Sequence, residues 1–257
     1  MRRLKMRHIL SLESREILRQ FVSSMAVLAF DFDGTLAPIV DDPKRARLPR
    51  TTRLLLRKLA GAHTCVALSG RSRADLKNKL AGTGIHRLIG NHGAEPWEGT
   101  PQLRREVRQW ERALARDLPE LPGLWIENKS LSLTVHYRQC RRKAEARAAI
   151  VRAARSLSEV RLIGGKEAVS IVSQSAPHKG LALRAMLARL DCDRALYVGD
   201  DETDEDVFAL SDEELALCTI RVGRKRGSRA DFFLRNQGEI DELLRLLLRL
   251  PTISRLS

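Results

Sequence analysis

Apolar and polar positions follow two rhythms along this chain. From Leu4 through Ile9, Leu12, Ile17 and Leu18 to Phe21, apolar residues recur at helical spacing among charges, which predicts an amphipathic helix over residues 1–22. Ala26 to Phe30 is then continuously apolar and stops at Asp31-Phe32-Asp33-Gly34-Thr35. Cys65 to Leu68 stops in the same way at Ser69-Gly70-Arg71, and Ala195 to Val198 at Gly199-Asp200-Asp201. Short uninterrupted apolar runs suit strands buried on both faces of a parallel sheet. Between them, Thr52 to Ala60 and Lys179 to Leu190 carry the helical period. Strands alternating with helices predict an α/β domain with a parallel sheet, whose ligands bind beyond the carboxyl ends of the strands. All three runs end there in polar groups.

The middle of the chain reads differently. Leu103, Val107, Trp110, Leu114 and Leu118 form one side of an amphipathic helix that Pro119 and Pro122 terminate. Leu131 to Arg138 alternates with period two, the mark of a half-buried strand, and puts Ser132, Thr134, His136 and Arg138 on its polar face. An Ala/Arg-rich helix over 139–157 follows. Val160–Ile163 and Glu167–Val172 then read as two strands around a Gly164-Gly165 turn. This predicts a small α+β unit over 103–177 inserted into a sheet domain made of 23–102 and 178–257.

Composition narrows the class. Apolar residues are 43% of 257, enough for a core, while Pro and Gly are too few for a fibrous or disordered chain. No apolar run has the length of a membrane span, and the run at Met25–Phe30 lacks a cleavage site, so neither a membrane protein nor a signal peptide is expected. Four widely spaced cysteines without a CxxC pair read as buried thiols in a reducing compartment, so a cytoplasmic location is expected. The net charge of +14 is spread over the first two thirds of the chain; residues 178–257 carry 13 basic and 15 acidic residues. With aromatics at only 4%, that spread describes solvated arginine-rich faces better than a nucleic-acid stripe, and no nucleic-acid partner is expected.

The candidate chemistry sits at the strand ends. Asp31 and Asp33, two apart at a strand terminus, can share a divalent cation and divide labour: one attacks a phosphoryl group, the other exchanges protons with the leaving group and water. The carboxylates from Asp200 to Asp206 repel one another unless a cation joins them, and an all-oxygen donor set means Mg²⁺ or Ca²⁺, not zinc. Ser69-Gly70-Arg71 offers a hydroxyl and backbone N–H groups to phosphate oxygens. Lys179 opens a helix, where its ammonium joins the helix's own N–H groups.

These four strand and helix ends resemble, in order, the motifs of the haloacid dehalogenase superfamily. The nearer resemblance is to its trehalose-6-phosphate phosphatases. It rests on Asp31-Phe-Asp-Gly-Thr-Leu-Ala-Pro-Ile39, Ser69-Gly-Arg71, Gly90-Asn-His-Gly-Ala-Glu95, Leu133-Thr-Val-His-Tyr-Arg138, Lys179-Gly180 and Gly199-Asp-Asp-Glu-Thr-Asp-Glu-Asp206. It implies a doubly wound core with an inserted cap, and hydrolysis of trehalose 6-phosphate in trehalose synthesis. It implies Asp31 as nucleophile, Asp33 as acid and base, and Ser69 and Lys179 as holders of the phosphoryl oxygens. Mg²⁺ would lie between Asp31, the backbone carbonyl of Asp33 and Asp200, with Asp201 and Asp204 close by. Arg71, His92, Glu95, Glu127, Lys129, Arg138 and Lys166 would bind the substrate. The implied partners are a sugar phosphate and, transiently, a separate trehalose-6-phosphate synthase, for which 257 residues leave no room here.

One departure bears on specificity. The family carries a sugar-binding Glu where this chain has Ser170. Losing a carboxylate on a hydroxyl removes about 1.5–3 kcal/mol of recognition, unless Glu167 or a water replaces it. The alternatives are a phosphatase for another sugar phosphate, of the sucrose, mannosylglycerate or glucosylglycerol type, or a non-catalytic sugar-phosphate sensor.

Overall fold

Residues 6–22, 26–96, 100–210 and 215–250 are described by the structure, a computed structural model. They divide into two compact units, Met1–Gly93 with His178–Ser257, and Ala94–Pro177.

The first unit holds β1 (Arg7–His8), α1 (Arg15–Val22), β2 (Val27–Phe30), α2 (Arg50–Ala62), β3 (Cys65–Leu68), α3 (Arg73–Lys79) and β4 (Arg87–Ile89). The second holds α4 (Thr100–Asp117), β5 (Trp125–Asn128), β6 (Ser132–His136), α5 (Lys143–Ala154), β7 (Val160–Gly165) and β8 (Ala168–Ser173). The chain then returns to the first unit with α6 (Lys179–Arg189), β9 (Arg194–Gly199), α7 (Glu205–Phe208), β10 (Ala216–Val222), β11 (Phe232–Leu234) and α8 (Ile240–Arg249).

The first unit is a doubly wound α/β domain. Its seven strands are all parallel, in the order β1-β11-β10-β9-β2-β3-β4. Every residue of β2 and β3 is buried, as the continuous apolar runs require, and each large side chain so buried contributes about 1.5–3 kcal/mol. From β2 the chain steps outward to β3 and β4, then resumes on the other side at β9. The strand order therefore reverses between β2 and β9, which opens a crevice beyond their carboxyl ends. Register puts Phe30 level with both Val198 and Ala67, so Asp31, Ser69 and Asp200 emerge at one edge.

The second unit is an antiparallel sheet, β5-β6-β8-β7. Leu133, Val135, Val169 and Ile171 join Val107, Trp110 and Leu114 of α4 and Ile150 of α5 in its core. The opposite face carries Glu127, Thr134 and Ser170, which are aligned in register.

Two expectations change. Residues 1–5 lie outside the described residues, and the amphipathic stretch that follows is not one helix: Arg7 and His8 pair with Phe232 and Phe233 as an edge strand, and only Arg15–Val22 is α-helical. Ile9 and Leu18 are buried in the main core while Leu12 is 74% exposed, so the apolar stripe is not one continuous buried face. In the second unit the hairpin turn falls at Lys166-Glu167, not at Gly164-Gly165, which pair with Val169 and Ala168. Glu167 takes the left-handed backbone there, at φ 64°.

Candidate active site

Asp31 follows β2 and is held by its own N–H, which donates to the Val198 carbonyl at 2.8 Å. Gly34 turns the chain directly after it, with φ at 82°. A Cβ on Gly34 would collide with the Asp200 carboxylate, so glycine is needed both for the turn and for that close approach. Lys179, the first residue of α6, is 2% exposed. Its Nζ donates to Asp31 Oδ1 at 2.9 Å and to Asp204 Oδ1 at 2.7 Å. Tyr197, fully buried within β9, donates its hydroxyl to the same Asp204 oxygen at 2.6 Å. The other oxygen of Asp204 accepts the backbone N–H groups of Asp200 at 2.7 Å and Asp201 at 2.9 Å. Asp204 thus accepts four hydrogen bonds from the protein itself. The Asp201 carboxylate accepts the N–H and hydroxyl of Thr203 at 2.7 and 2.6 Å.

The electrostatics follow from this crowding. Burial pushes the Asp31 carboxyl well above the usual carboxylate range, Lys179 opposes that, and Asp204, Asp200 and Asp201 reinforce it. Burial alone would discharge Lys179, but Asp204 and Asp31 outweigh it and hold the ammonium well above its ordinary pKa. Burial, then Asp204, pushes the Tyr197 phenol up. Asp31, Asp200 and Asp204 bring one carboxylate oxygen each within 4.8 Å of one another. Asp204 is already engaged by four donors of the protein, so Asp31 and Asp200 are the carboxylates left to face a cation, and an all-oxygen pair fits a hard divalent one, which would invert the repulsion that now raises Asp31.

Asp33 and Arg71 form a second cluster. Arg71, 8% exposed, grips Asp33 with Nε at 2.6 Å and a terminal nitrogen at 2.7 Å. It also donates to Asp75 at 2.6 Å and to the Pro43 carbonyl at 2.9 Å, and lies over the Phe32 ring. Its backbone N–H donates to the Ser69 hydroxyl at 3.2 Å. Ser69 is buried. His92, at φ 57°, lies over Gly70; a Cβ there would collide with the imidazole.

The structure therefore brings Asp31, Asp33, Ser69, Arg71, His92, Lys179, Asp200, Asp201 and Asp204 together at one edge of the first unit. Glu95 belongs to the second unit, as do Glu127, Lys129, Arg138 and Lys166. There, Glu127 lies 2.9 Å from His136 Nε2 and 3.7 Å from Lys129, and His136 stacks on Trp125 at 4.0 Å. Ser170 hydrogen-bonds Thr134 at 2.9 Å. Glu167, the candidate to replace the missing carboxylate, is engaged by Arg138 at 3.2 Å and by Lys143. Arg138 also donates to the Lys166 carbonyl at 2.7 Å.

Three residues of the site escaped sequence reasoning: Tyr197, Asp75, and Arg221, which donates to the Asp200 and Asp201 carbonyls. The only signal for Tyr197 is a hydroxyl inside an otherwise apolar run. For Arg221 it is a charge inside Thr219-Ile220-Arg221-Val222. Asp75 gives no local signal.

Comparison with known proteins gives the family. The profile of the family described as Trehalose-phosphatase matches residues 29–237. The chain belongs to that family. It is 35% identical over 194 residues to a trehalose-phosphate phosphatase of Mycobacterium ulcerans, a match covering 70% of this chain and 50% of that protein. It is 27% identical over 250 residues to a probable trehalose-phosphate phosphatase E of Arabidopsis thaliana, covering 88% and 70%. The chain spans about half the length of the mycobacterial relatives it matches. Its fold matches the C-terminal domain of a Candida albicans trehalose-6-phosphate phosphatase with a TM-score of 0.77, at 20% identity, over 97% of this chain and all of that one. Among the described residues, no helix is long and apolar enough to cross a membrane.

Proposed function

We propose that this chain is a Mg²⁺-dependent phosphatase that releases phosphate from trehalose 6-phosphate through an aspartyl-phosphate on Asp31. The observation that carries the reading is Lys179 bridging Asp31 and Asp204 at the switch point of a chain in this family. Asp31 attacks phosphorus and the bond from phosphorus to the sugar oxygen breaks. Asp33 gives that oxygen its proton, then removes a proton from water. The water oxygen attacks phosphorus, the Asp31–phosphorus bond breaks, and phosphate leaves. Lys179 and Ser69 hold the phosphoryl oxygens throughout.

Asp31, the backbone carbonyl of Asp33 and Asp200 would hold Mg²⁺, which would supply positive charge to offset both the clustered carboxylates and the phosphoryl oxygens. Asp204 we assign as the anchor of Lys179 and of the Asp200-Asp201 turn, since the protein's own donors fill its acceptor positions. Asp201 would stand close by. Arg71 we assign to Asp33 instead of the sugar, because its bidentate fork already matches that carboxylate. Glu127, Lys129, Arg138, Lys166, His92 and Glu95 are carried as sugar-recognition residues on the resemblance.

Phosphate release is measured from trehalose 6-phosphate beside glucose 6-phosphate, sucrose 6-phosphate and the mannosyl- and glucosyl-glycerate phosphates, with Mg²⁺ and with EDTA. We expect preference for trehalose 6-phosphate and loss of turnover in EDTA. Preference for another member, which Ser170 motivates, keeps the chemistry and replaces the substrate. Binding without turnover of any refutes the enzyme reading.

A further inference from the structure

Arg221 lies on β10, outside every motif that identifies the family, and is 5% exposed. Burying a guanidinium costs several kcal/mol unless acceptors surround it, so a strand that needed only packing would carry an apolar side chain here. Its acceptors are specific. One terminal nitrogen donates to the Asp200 carbonyl at 2.5 Å. The other donates to the Asp201 carbonyl at 3.0 Å and to Glu205 Oε1 at 2.8 Å. Glu205 is itself fixed from the other side by the Arg229 N–H at 2.8 Å.

The same two aspartates are gripped on their other edge. Their N–H groups both donate to Asp204 Oδ2. Two consecutive residues thus have both N–H groups and both carbonyls taken by charged side chains. Register explains how Arg221 reaches them: it pairs with Gly199, the last residue of β9, directly before the turn. With its backbone held from both edges, a side chain keeps little freedom beyond its own rotamer.

We propose that Arg221 is a positioning residue for the metal-binding turn, fixing the Asp200 carboxylate through the backbone carbonyls of Asp200 and Asp201. This rests on the reading of Asp200 as a Mg²⁺ ligand. A guanidinium near a cation site opposes metal binding by its charge and favours it by its geometry. Lysine retains the charge but lacks the planar fork, so Arg221→Lys isolates the geometric part.

Mn²⁺ alone is titrated into the metal-free full chain and unbound Mn²⁺ is followed by electron paramagnetic resonance, for wild type, Arg221→Lys and Arg221→Met. Thermal unfolding in EDTA accompanies each. Partners that orient metal ligands are worth about 10–100-fold in affinity. We expect Arg221→Lys to bind Mn²⁺ about 10-fold more weakly with its EDTA unfolding cooperative, and the Mg²⁺ needed for half-maximal phosphate release to rise in step. The Michaelis constant for the sugar phosphate at saturating Mg²⁺ stays unchanged. Mn²⁺ affinity within twofold of wild type in Arg221→Lys overturns the assignment. So does tighter binding by Arg221→Met with Arg221→Lys unchanged, which would make Arg221 only an opposing charge. Loss of the fold in both variants overturns it as well, since Arg221 would then serve the core. A wild type that binds no Mn²⁺ defeats the metal reading itself, and this inference with it.

Discussion

Replacing Asp204 by Asn separates an anchor from a metal ligand, because the two roles predict opposite signs. Asparagine keeps the shape but exchanges one acceptor oxygen for an NH₂ group. If the NH₂ takes the Oδ2 site, it meets two backbone N–H donors. If it takes the Oδ1 site, Tyr197 can rotate its hydroxyl and accept, whereas the Lys179 ammonium cannot. The second arrangement is the better one, and it strips a 2% exposed lysine of one of its two carboxylates. Breaking a buried pair costs about 3–5 kcal/mol. Relief of the Asp204 repulsion on Asp31 offsets part of this, so we expect the lower end, about 3 kcal/mol. For a chain of this size that lowers Tm by about 6–12 °C. The assay is thermal unfolding in EDTA, without metal, with phosphate release measured on the same samples. A ligand role predicts the reverse: removing one of three crowded carboxylates from a metal-free site relieves repulsion, so Tm in EDTA rises or holds while Mg²⁺ affinity falls. That result would refute the anchor.

Asp31→Asn should abolish phosphate release while leaving the unfolding transition cooperative; turnover near wild type would remove Asp31 as nucleophile. Arg71→Lys loses the two-pronged grip on Asp33, so kcat should fall about 10–100-fold with KM changing less than threefold; a large rise in KM at unchanged kcat would return Arg71 to sugar binding. Tyr197→Phe removes one buried hydroxyl from a charged acceptor and should cost about 1.5–3 kcal/mol by denaturant unfolding; a loss below about 0.5 kcal/mol would mean the bond is not made. Burial lowers the His63 pKa, so its neutral form is favoured in the fold and protonation opposes folding. Stability carried by His63 is therefore present above the ordinary histidine value of 6.5 and is lost as pH falls below it. His63→Asn should flatten the stability curve from about pH 7 to pH 5, and an unchanged slope there would contradict this.

Local chemistry makes the centre of this molecule legible from its sequence. β2, β3 and β9 announce themselves because a strand buried on both faces must be apolar at every position. Asp31-x-Asp33-Gly34 announces a turn and a site because two carboxylates at a strand end are costly anywhere else. Helix α4 is visible because its stripe repeats over four turns. These are properties of neighbours in the chain, and pattern reads neighbours. What tertiary structure decided is which groups meet. Lys179 joins Asp31 across 148 positions, and no spacing rule reaches that far. Arg71 looks like a phosphate ligand after β3, but the fold turns it onto Asp33. Asp204 reads as one more carboxylate in an acidic run, until Lys179 from the start of α6 joins Tyr197 and the Asp200 and Asp201 N–H groups on it. Tyr197 and Arg221 look like exceptions inside strands, and only the register of β9 and β10 shows what they hold. The turn at Lys166-Glu167 and the edge strand at Arg7-His8 were likewise settled by strand pairing, which for the edge strand joins opposite ends of the chain. Elements follow from short-range apolar rhythm; a site follows from long-range contacts, whose energies appear only once the sheet has brought the partners together.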